Sequence, residues 1–330
     1  MLSGPRVLFL LFLVAILVIA SQALAQSSDP VHINPGDKVE ESSAAHKTAS
    51  GEHRPLRVDV DLVLVPVSVV DAANRPVTTL RKQDFTVYEG NEQQPLRYFS
   101  TEDAPISVGI LLDLSFSMKD KIETARQALH QFFANCNPDD DYFVVGFSNR
   151  PSLLSDSTHS TASIENEVAL AVPAGNTALL DAIYVGVSKL RTARYKRRAL
   201  VIISDGGDNH SRYTAAEIRR MVQEEDVEIY ALGIFSRIFK SYEEWTGERL
   251  LNGITEITGG HTVTVSNVEE LPMQAANISR ELRNQYILGY QPNRAPHSSK
   301  WRKIRVRVAP PAEGVSLHVY SKQGYLSADD

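Results

Sequence analysis

Apolar strand patterns alternate with helical patterns between Pro105 and Asn284, and this alternation constrains the fold more than any other feature. The stretch 106–112 is almost continuously apolar, as a strand covered on both faces should be. Residues 119–133 follow with apolar side chains at helical spacing, and residues 142–147 form the next apolar strand pattern. Strands that alternate with helices predict a parallel sheet with crossover helices. We therefore expect an α/β fold with a doubly wound, mostly parallel sheet.

The alternation continues beyond the second strand. Further helices are predicted over residues 177–190, 214–224, 248–258 and 268–284, and further strands over 199–203 and 227–234. The segments 152–161 and 236–242 carry no such pattern, and we interpret both as loops.

Both flanks of this region have β patterning instead of alternation. Strand patterns occur within residues 57–70 and 85–88, and after Asn284 within 286–290, 303–308 and 315–320. We expect these flanks to pair into a smaller β-sandwich module. The predicted divisions are an N-terminal β module at 57–102, the α/β domain at 103–285 and a C-terminal β segment at 286–330 that packs with the N-terminal module.

The N-terminus has the pattern of a secretory signal. Arg6 precedes the apolar run 7–20, and small residues follow up to Ala23-Leu24-Ala25. We predict a signal peptide over residues 1–25 and a secreted or cell-envelope location, periplasmic or extracellular; an uncleaved segment would instead anchor the chain in a membrane. Residues 26–56 are polar and lack periodicity, which predicts a flexible tether.

Charge and cysteine content restrict the possible partners and cross-links. The net charge of −6 is modest, which argues against a nucleic-acid partner. The basic residues between Arg191 and Arg198 are interpreted as a solvated helix end and loop rather than a polyanion site. Cys136 is the single cysteine, so no internal disulfide can form.

Three polar clusters fall where strands end or a helix begins. They are Asp113-Leu114-Ser115-Phe116-Ser117, Gly175-Asn176-Thr177 and Ser204-Asp205-Gly206-Gly207-Asp208. Open α/β sheets bind ligands outside the carboxyl ends of their strands. Each cluster alone has an ordinary explanation, Thr177 as a helix N-cap and Asp205-Gly206 as a turn. Their coincidence at matching strand and helix ends favours metal binding.

These clusters together resemble the metal-ion-dependent adhesion site of von Willebrand factor type A and integrin inserted domains. The resemblance rests on D-x-S-x-S after a strand, Gly-x-Thr before a helix and S-D-G after a later strand. It implies that the hydroxyls of Ser115 and Ser117 ligate one divalent cation directly. It further implies that Thr177 binds directly or through water, and that Asp113 and Asp205 act directly or through bridging waters.

The donor types agree with this implication. Hard cations such as Mg²⁺, Mn²⁺ or Ca²⁺ prefer oxygen ligands, and three hydroxyls with two carboxylates leave the ion electrophilic. The resemblance then implies a protein partner whose Asp or Glu side chain completes the coordination. Asp208 and His210 lie just beyond the third cluster, and we place them on the ligand-binding rim.

The sequence lacks the common motifs of catalytic sites. The sequence has no G-x-S-x-G, H-E-x-x-H, P-loop or G-x-G-x-x-G motif, so we predict a non-enzymatic interaction module. The alternatives are a metal-dependent hydrolase and an accessory subunit of an envelope complex. The flanking β segments, including Tyr286-Ile287-Leu288-Gly289-Tyr290, resemble the bacterial family of von Willebrand factor type A-related acidobacterial proteins.

Overall fold

The structure is a computed structural model that describes residues 62–101, 103–236, 240–292, 301–309 and 316–326. The predicted signal peptide and tether lie outside these residues. The strands are β1 (Val63–Asp71), β2 (Phe85–Glu89), β3 (Glu92–Gln94), β4 (Leu96–Ser100), β5 (Ser107–Asp113), β6 (Asp141–Phe147), β7 (Pro151–Thr158), β8 (Arg198–Ser204), β9 (Glu228–Ile234), β10 (Thr262–Val265), β11 (Tyr286–Tyr290), β12 (Trp301–Val308), β13 (Leu317–Ser321) and β14 (Gly324–Leu326). The α-helices are α1 (Ile122–Phe133), α2 (Thr161–Ala169), α3 (Leu179–Leu190), α4 (Ala215–Glu224), α5 (Tyr242–Thr258) and α6 (Leu271–Arg283).

A central sheet organises the larger part of the chain. Among the described residues it has six strands in the order β10-β9-β8-β5-β6-β7, and every neighbouring pair is parallel except β6 and β7. β5 and β6 are buried along their whole length, because helices cover both faces. Helices α1, α2 and α6 pack on one face, and α3, α4 and α5 pack on the other. The predicted α/β class with a doubly wound, mostly parallel sheet is confirmed.

The edge of this sheet differs from the sequence prediction. Interpreting residues 152–161 as a loop is wrong, because this stretch contains most of β7 and the start of α2. Of the eight residues of β7, only Ser155 is buried. An edge strand that buries so little has no apolar alternation, and the sequence therefore gives no strand signal.

The five predicted helices begin one to six residues away from their predicted starts. α3 starts at Leu179 rather than at Thr177, and α5 starts at Tyr242, six residues before the predicted 248. A capping box fixes the start of α5. The backbone N–H of Glu244 donates to the Ser241 hydroxyl at 3.1 Å, and the Ser241 N–H donates to the Glu244 carboxylate at 2.7 Å.

Strands from both ends of the chain form the β module. β1 pairs with β11 and β13, and β2 pairs with β12, all antiparallel. The two sheets, β13-β1-β11-β4 and β14-β12-β2-β3, share one apolar core. Phe85 and Tyr286 meet across it with ring centroids 4.8 Å apart. The predicted module built from the two flanking segments is therefore part of the fold.

A buried polar junction joins the β module to the amino edge of the central sheet. Ser68 of β1 contacts the Tyr230 hydroxyl at 3.3 Å, and that hydroxyl donates to the Glu228 carboxylate at 3.1 Å. The Arg197 guanidinium donates to the Leu282 carbonyl at 2.7 Å, so it ties β8 to the end of α6. Arg197 is only half-exposed, whereas Arg191, Arg194 and Lys196 of the same basic cluster are exposed. The junction lies at the end of the sheet opposite the three polar clusters.

None of the helices within the described ranges combines the length and the apolar character that crossing a membrane requires.

Candidate metal centre

Four of the five predicted ligands meet in a cleft at the carboxyl end of the central sheet. Asp113 ends β5, and Asp205 directly follows β8. These strands are parallel neighbours, so their carboxyl ends lie side by side. The cleft has a volume of about 320 Å³. The residues that line it include Ser115, Ser117, Thr177 and Asp205.

Two serine hydroxyls and one carboxylate form a continuous chain in the cleft. The hydroxyl oxygens of Ser115 and Ser117 are 3.0 Å apart, and the Ser117 hydroxyl donates to Oδ1 of Asp205 at 2.8 Å. Ser117 and Asp205 are separated by 88 positions in the sequence. The fold therefore brings together oxygen donors that the sequence places in different clusters.

Asp113 lies beneath these hydroxyls and does not line the cleft. One of its oxygens accepts a hydrogen bond from the Ser115 backbone N–H at 2.8 Å, and the other accepts one from the Ser204 hydroxyl at 2.6 Å. Burial raises the pKa of Asp113 to about 6, the hydrogen bonds from Ser204 and Ser115 oppose that rise, and the neighbouring Asp205 carboxylate adds to it. In this geometry Asp113 orients the loop that carries the serine hydroxyls.

Thr177 enters the cleft from the turn before α3. The N-cap of α3 is Ala178, which makes no side-chain capping hydrogen bond, so Thr177 is not the N-cap of this helix. The Thr177 N–H donates to the Asn209 side chain at 2.9 Å, and its carbonyl accepts from the N–H groups of Asn209 and His210 at 3.0 and 3.2 Å. These backbone bonds hold Thr177 beside the loop that follows β8, which leaves its hydroxyl to the cleft.

A left-handed glycine shapes the turn before Thr177. Gly175 has φ +87°, and a Cβ at this position would lie 2.8 Å from the Asn149 side chain. The same Asn149 oxygen accepts a hydrogen bond from the Asn176 N–H at 2.9 Å. The Gly-x-Thr cluster thus requires glycine for its backbone conformation and for its close approach to Asn149.

Lys121 is a member of the cleft that sequence reasoning missed. Its ammonium group forms an ion pair with Oδ2 of Asp205, whose side chain is fully buried. The one available signal was its position four residues after Ser117, on the turn that leads into α1. The ammonium neutralises one carboxylate charge in the cleft and engages one oxygen of a predicted ligand.

The two predicted rim residues lie in the loop after β8. The Asp208 carboxylate accepts hydrogen bonds from the Leu180 N–H at 3.2 Å and from the Ser211 hydroxyl, so it stabilises the amino end of α3. His210 is exposed, and its backbone bonds to Thr177. Neither residue lines the cleft, whereas Asn176 and Asn209 do.

Helix α5 closes the other side of the cleft through a close backbone contact. A Cβ on Gly247 would lie 2.8 Å from the Cα of Gly207, and a Cβ on Gly207 would lie 2.8 Å from the Glu243 carbonyl oxygen. The loop after β8 therefore packs directly on the first turns of α5. This packing brings Ser241, Glu243 and Glu244 to the edge of the cleft.

The donor set fits a hard divalent cation. Ser115, Ser117, Thr177 and Asp205 offer the cleft only oxygen atoms, and Asp113 supports them from below. Mg²⁺, Mn²⁺ and Ca²⁺ accept such ligands and complete their coordination with water. The Ser115, Ser117 and Asp205 oxygens are already within hydrogen-bonding distance of one another.

Comparison with known proteins identifies one domain within the chain. Residues 108–207 match the von Willebrand factor type A domain family. The match begins in β5, ends in the loop after β8 and spans all five predicted ligands. A UPF0353 protein of Mycolicibacterium paratuberculosis is 23% identical, with 63% of this chain and 68% of that protein aligned.

Two solved structures are similar to part of this chain. The PilB minor pilin of Streptococcus sanguinis is 15% identical, with a TM-score of 0.45 and coverage of 58% of this chain and 63% of the pilin. The chain thus spans less than two thirds of that pilin. Proximal thread matrix protein 1 of the mussel byssus, solved with a zinc-occupied MIDAS (metal-ion-dependent adhesion site) motif, is 17% identical, with a TM-score of 0.46. The match covers 58% of this chain and 48% of the byssus protein.

Proposed function

We propose that this chain is a non-enzymatic protein-binding module that holds one divalent cation in the cleft and presents it to an acidic side chain of a partner protein. The observation that carries the proposal is the chain of oxygens from Ser115 through Ser117 to Asp205, with spacings of 3.0 and 2.8 Å. Ser115, Ser117, Thr177 and Asp205 would hold the ion, and Asp113 would orient them. The bound ion would supply an electrophilic centre for a carboxylate oxygen.

The charges around the cleft support a cation. The Asp205 side chain is fully buried, and Asp113 is completely inaccessible to solvent. Two buried carboxylates repel each other and lose hydration, as the raised pKa of Asp113 reflects. One Lys121 ammonium balances only one of them, so a divalent ion would relieve the remaining charge.

The arrangement favours binding over hydrolysis. Apart from Asp205, the carboxylates that line the cleft are Glu243 and Glu244. Glu244 already accepts hydrogen bonds from the N–H groups of Ser236 and Ser241 at 3.0 and 2.7 Å, which commits it to the start of α5. No histidine is among the residues lining this cleft in the described part of the chain, so the usual general base for water activation is missing there.

We further propose that the module acts outside the cytoplasm. The support is the signal pattern at residues 1–25, in which Arg6 is followed by the apolar run 7–20. Fractionation of cells that express the full chain would test this. Export is supported by a processed product that lacks the leader, and a full-length cytoplasmic product would contradict it.

Isothermal titration calorimetry of the full chain with Mg²⁺, Mn²⁺ and Ca²⁺ tests the metal site. We expect one ion per chain, lost in Ser117→Ala because that change removes the hydroxyl between Ser115 and Asp205. Ser157→Ala is the matched control, since Ser157 is exposed on β7. Equal affinity in both variants would reject the assignment. Metal-dependent turnover of phosphoesters or peptides would favour the hydrolase instead.

A further inference from the structure

Exposed apolar side chains lie next in sequence to residues that line the cleft. Phe116 lies between the cleft residues Ser115 and Ser117 and is 66% exposed. Tyr242 lies between the cleft residues Ser241 and Glu243 and is 80% exposed. Exposed aromatic side chains that lie beside a polar cleft are typical of a surface that a partner covers.

The two aromatic residues stand on different sides of the cleft. Phe116 follows β5, and Tyr242 opens α5, the helix after β9. In the sheet, β8 lies between β5 and β9, and Asp205 directly follows β8. A ligand whose carboxylate reaches the centre of the cleft would therefore have one aromatic side chain on each side.

A third apolar side chain extends this surface next to Phe116. Val172 is 80% exposed and lies three residues before Gly175, which lines the cleft. The Gly175 carbonyl accepts a hydrogen bond from the Phe116 N–H at 3.0 Å, so the two loops are adjacent. We call Phe116, Val172 and Tyr242 the apolar rim.

Charge varies across the cleft in a way that restricts the ligand. With the proposed divalent ion bound, the ion and the Lys121 ammonium together outweigh the charges of Asp113 and Asp205, so the centre of the cleft is net positive. Glu243 is exposed on the α5 side and lines the same cleft. A ligand that matches this distribution has a negative group at the centre and a positive group toward α5.

We propose that the cleft binds an extended segment of a partner protein in which an Asp or Glu has a bulky apolar neighbour and a Lys or Arg within reach of Glu243. This inference rests on the proposed function and adds the chemistry of the partner. The carboxylate occupies the centre, the apolar neighbour covers the rim, and the basic residue pairs with Glu243. A buried aromatic contact of this kind contributes strongly to interface affinity.

Selection from a phage-displayed library of random peptides tests the proposal. The full chain is immobilised with Mg²⁺, bound phage are eluted with EDTA, and enriched peptides are synthesised for affinity measurements. We expect enriched peptides to combine an acid with an adjacent bulky apolar residue and a basic residue. Acid-containing peptides without these neighbours would overturn the inference while leaving the metal-dependent function intact. Absence of EDTA-sensitive enrichment would reject both.

Variants of the rim give the second measurement. Phe116→Ser and Tyr242→Ser should each weaken an enriched peptide by about tenfold, with Mg²⁺ affinity by calorimetry unchanged. Leu153→Ser is the matched control, because Leu153 is 48% exposed on β7, away from the cleft. Glu243→Gln should remove the preference for the basic residue. Equal binding by the rim variants and the control would overturn the proposal.

Other occupants of the rim predict different results. If the rim binds a second copy of this chain, sedimentation velocity will show a Mg²⁺-dependent dimer that Phe116→Ser dissociates. If it binds lipid, the chain will sediment with phosphatidylglycerol vesicles and Tyr242→Ser will release it. Either result would overturn the assignment to a partner segment. A monomer that does not sediment with vesicles and binds the selected peptides would support it.

Discussion

Replacing Gly247 by alanine should weaken cation binding without touching any predicted ligand. A Cβ at this position would lie 2.8 Å from the Cα and N atoms of Gly207, where ordinary contacts begin at 3.4 Å. Backbone atoms cannot rotate away, so α5 and the loop after β8 must separate by about 0.6 Å. Asp205 lies in that loop, two residues before Gly207.

A displacement of this size is large enough to change the hydrogen-bond geometry of the site. A shift of about 0.6 Å along the Ser117–Asp205 hydrogen bond would lengthen it from 2.8 Å to about 3.4 Å, beyond the usual range of O–H···O bonds. We expect the Kd for Mg²⁺ to rise by about tenfold or more. Overpacking costs about 1–3 kcal/mol, and the better helix propensity of alanine returns about 1 kcal/mol. A net loss of up to about 2 kcal/mol in unfolding free energy is expected.

Gly253→Ala is the matched control on the same helix. Its Cβ would meet the Arg219 guanidinium at 2.7 Å, and that guanidinium is the end of a flexible side chain that can move aside. We expect unchanged Mg²⁺ affinity and unchanged or slightly higher stability. Calorimetry gives the Kd, and urea unfolding followed by circular dichroism gives the stability. Equal Mg²⁺ affinity in both variants and the native chain would refute the coupling between α5 and the site.

Three further predictions concern single side chains. Burial raises the pKa of Glu228 from 4.5 to about 7, so the folded state binds its proton more tightly than the unfolded state does. The free energy of unfolding should therefore fall as pH rises from about 5 to about 8, by at most about 3 kcal/mol. Glu228→Gln should flatten this pH dependence in urea unfolding, and an unchanged slope would contradict the prediction. Lys121→Met should tighten Mg²⁺ binding by roughly tenfold at low salt, because it removes an ammonium group that competes with the ion for Asp205. Weaker binding in calorimetry would show instead that Lys121 orients Asp205. Thr214→Ala should lower the free energy of unfolding by about 1 kcal/mol, because it removes the capping box with Glu217 at the start of α4. Urea unfolding measures the loss, and an altered Mg²⁺ affinity would contradict a purely local effect.

Sequence patterning was sufficient where burial follows a local period. The fully buried strand β5 has a continuous apolar run, and helix α3 has apolar residues at helical spacing. The edge strand β7 exposes most of its side chains, so its sequence carries no strand period. The start of α5 was missed for a related reason, since Tyr242 and Trp245 are exposed and break the apolar pattern of its first turns.

The sequence by itself determined which oxygen donors were available, because Asp113, Ser115 and Ser117 occupy a spacing that depends only on neighbouring residues. The ion pair of Lys121 with Asp205 joins positions 84 apart, and it exists only because β5 and β8 are adjacent in the sheet. Likewise, only the tertiary structure decides that Asp113 lies below the hydroxyls and does not line the cleft. Local spacing fixes chemistry within one loop, whereas the order of strands in a sheet decides which loops meet.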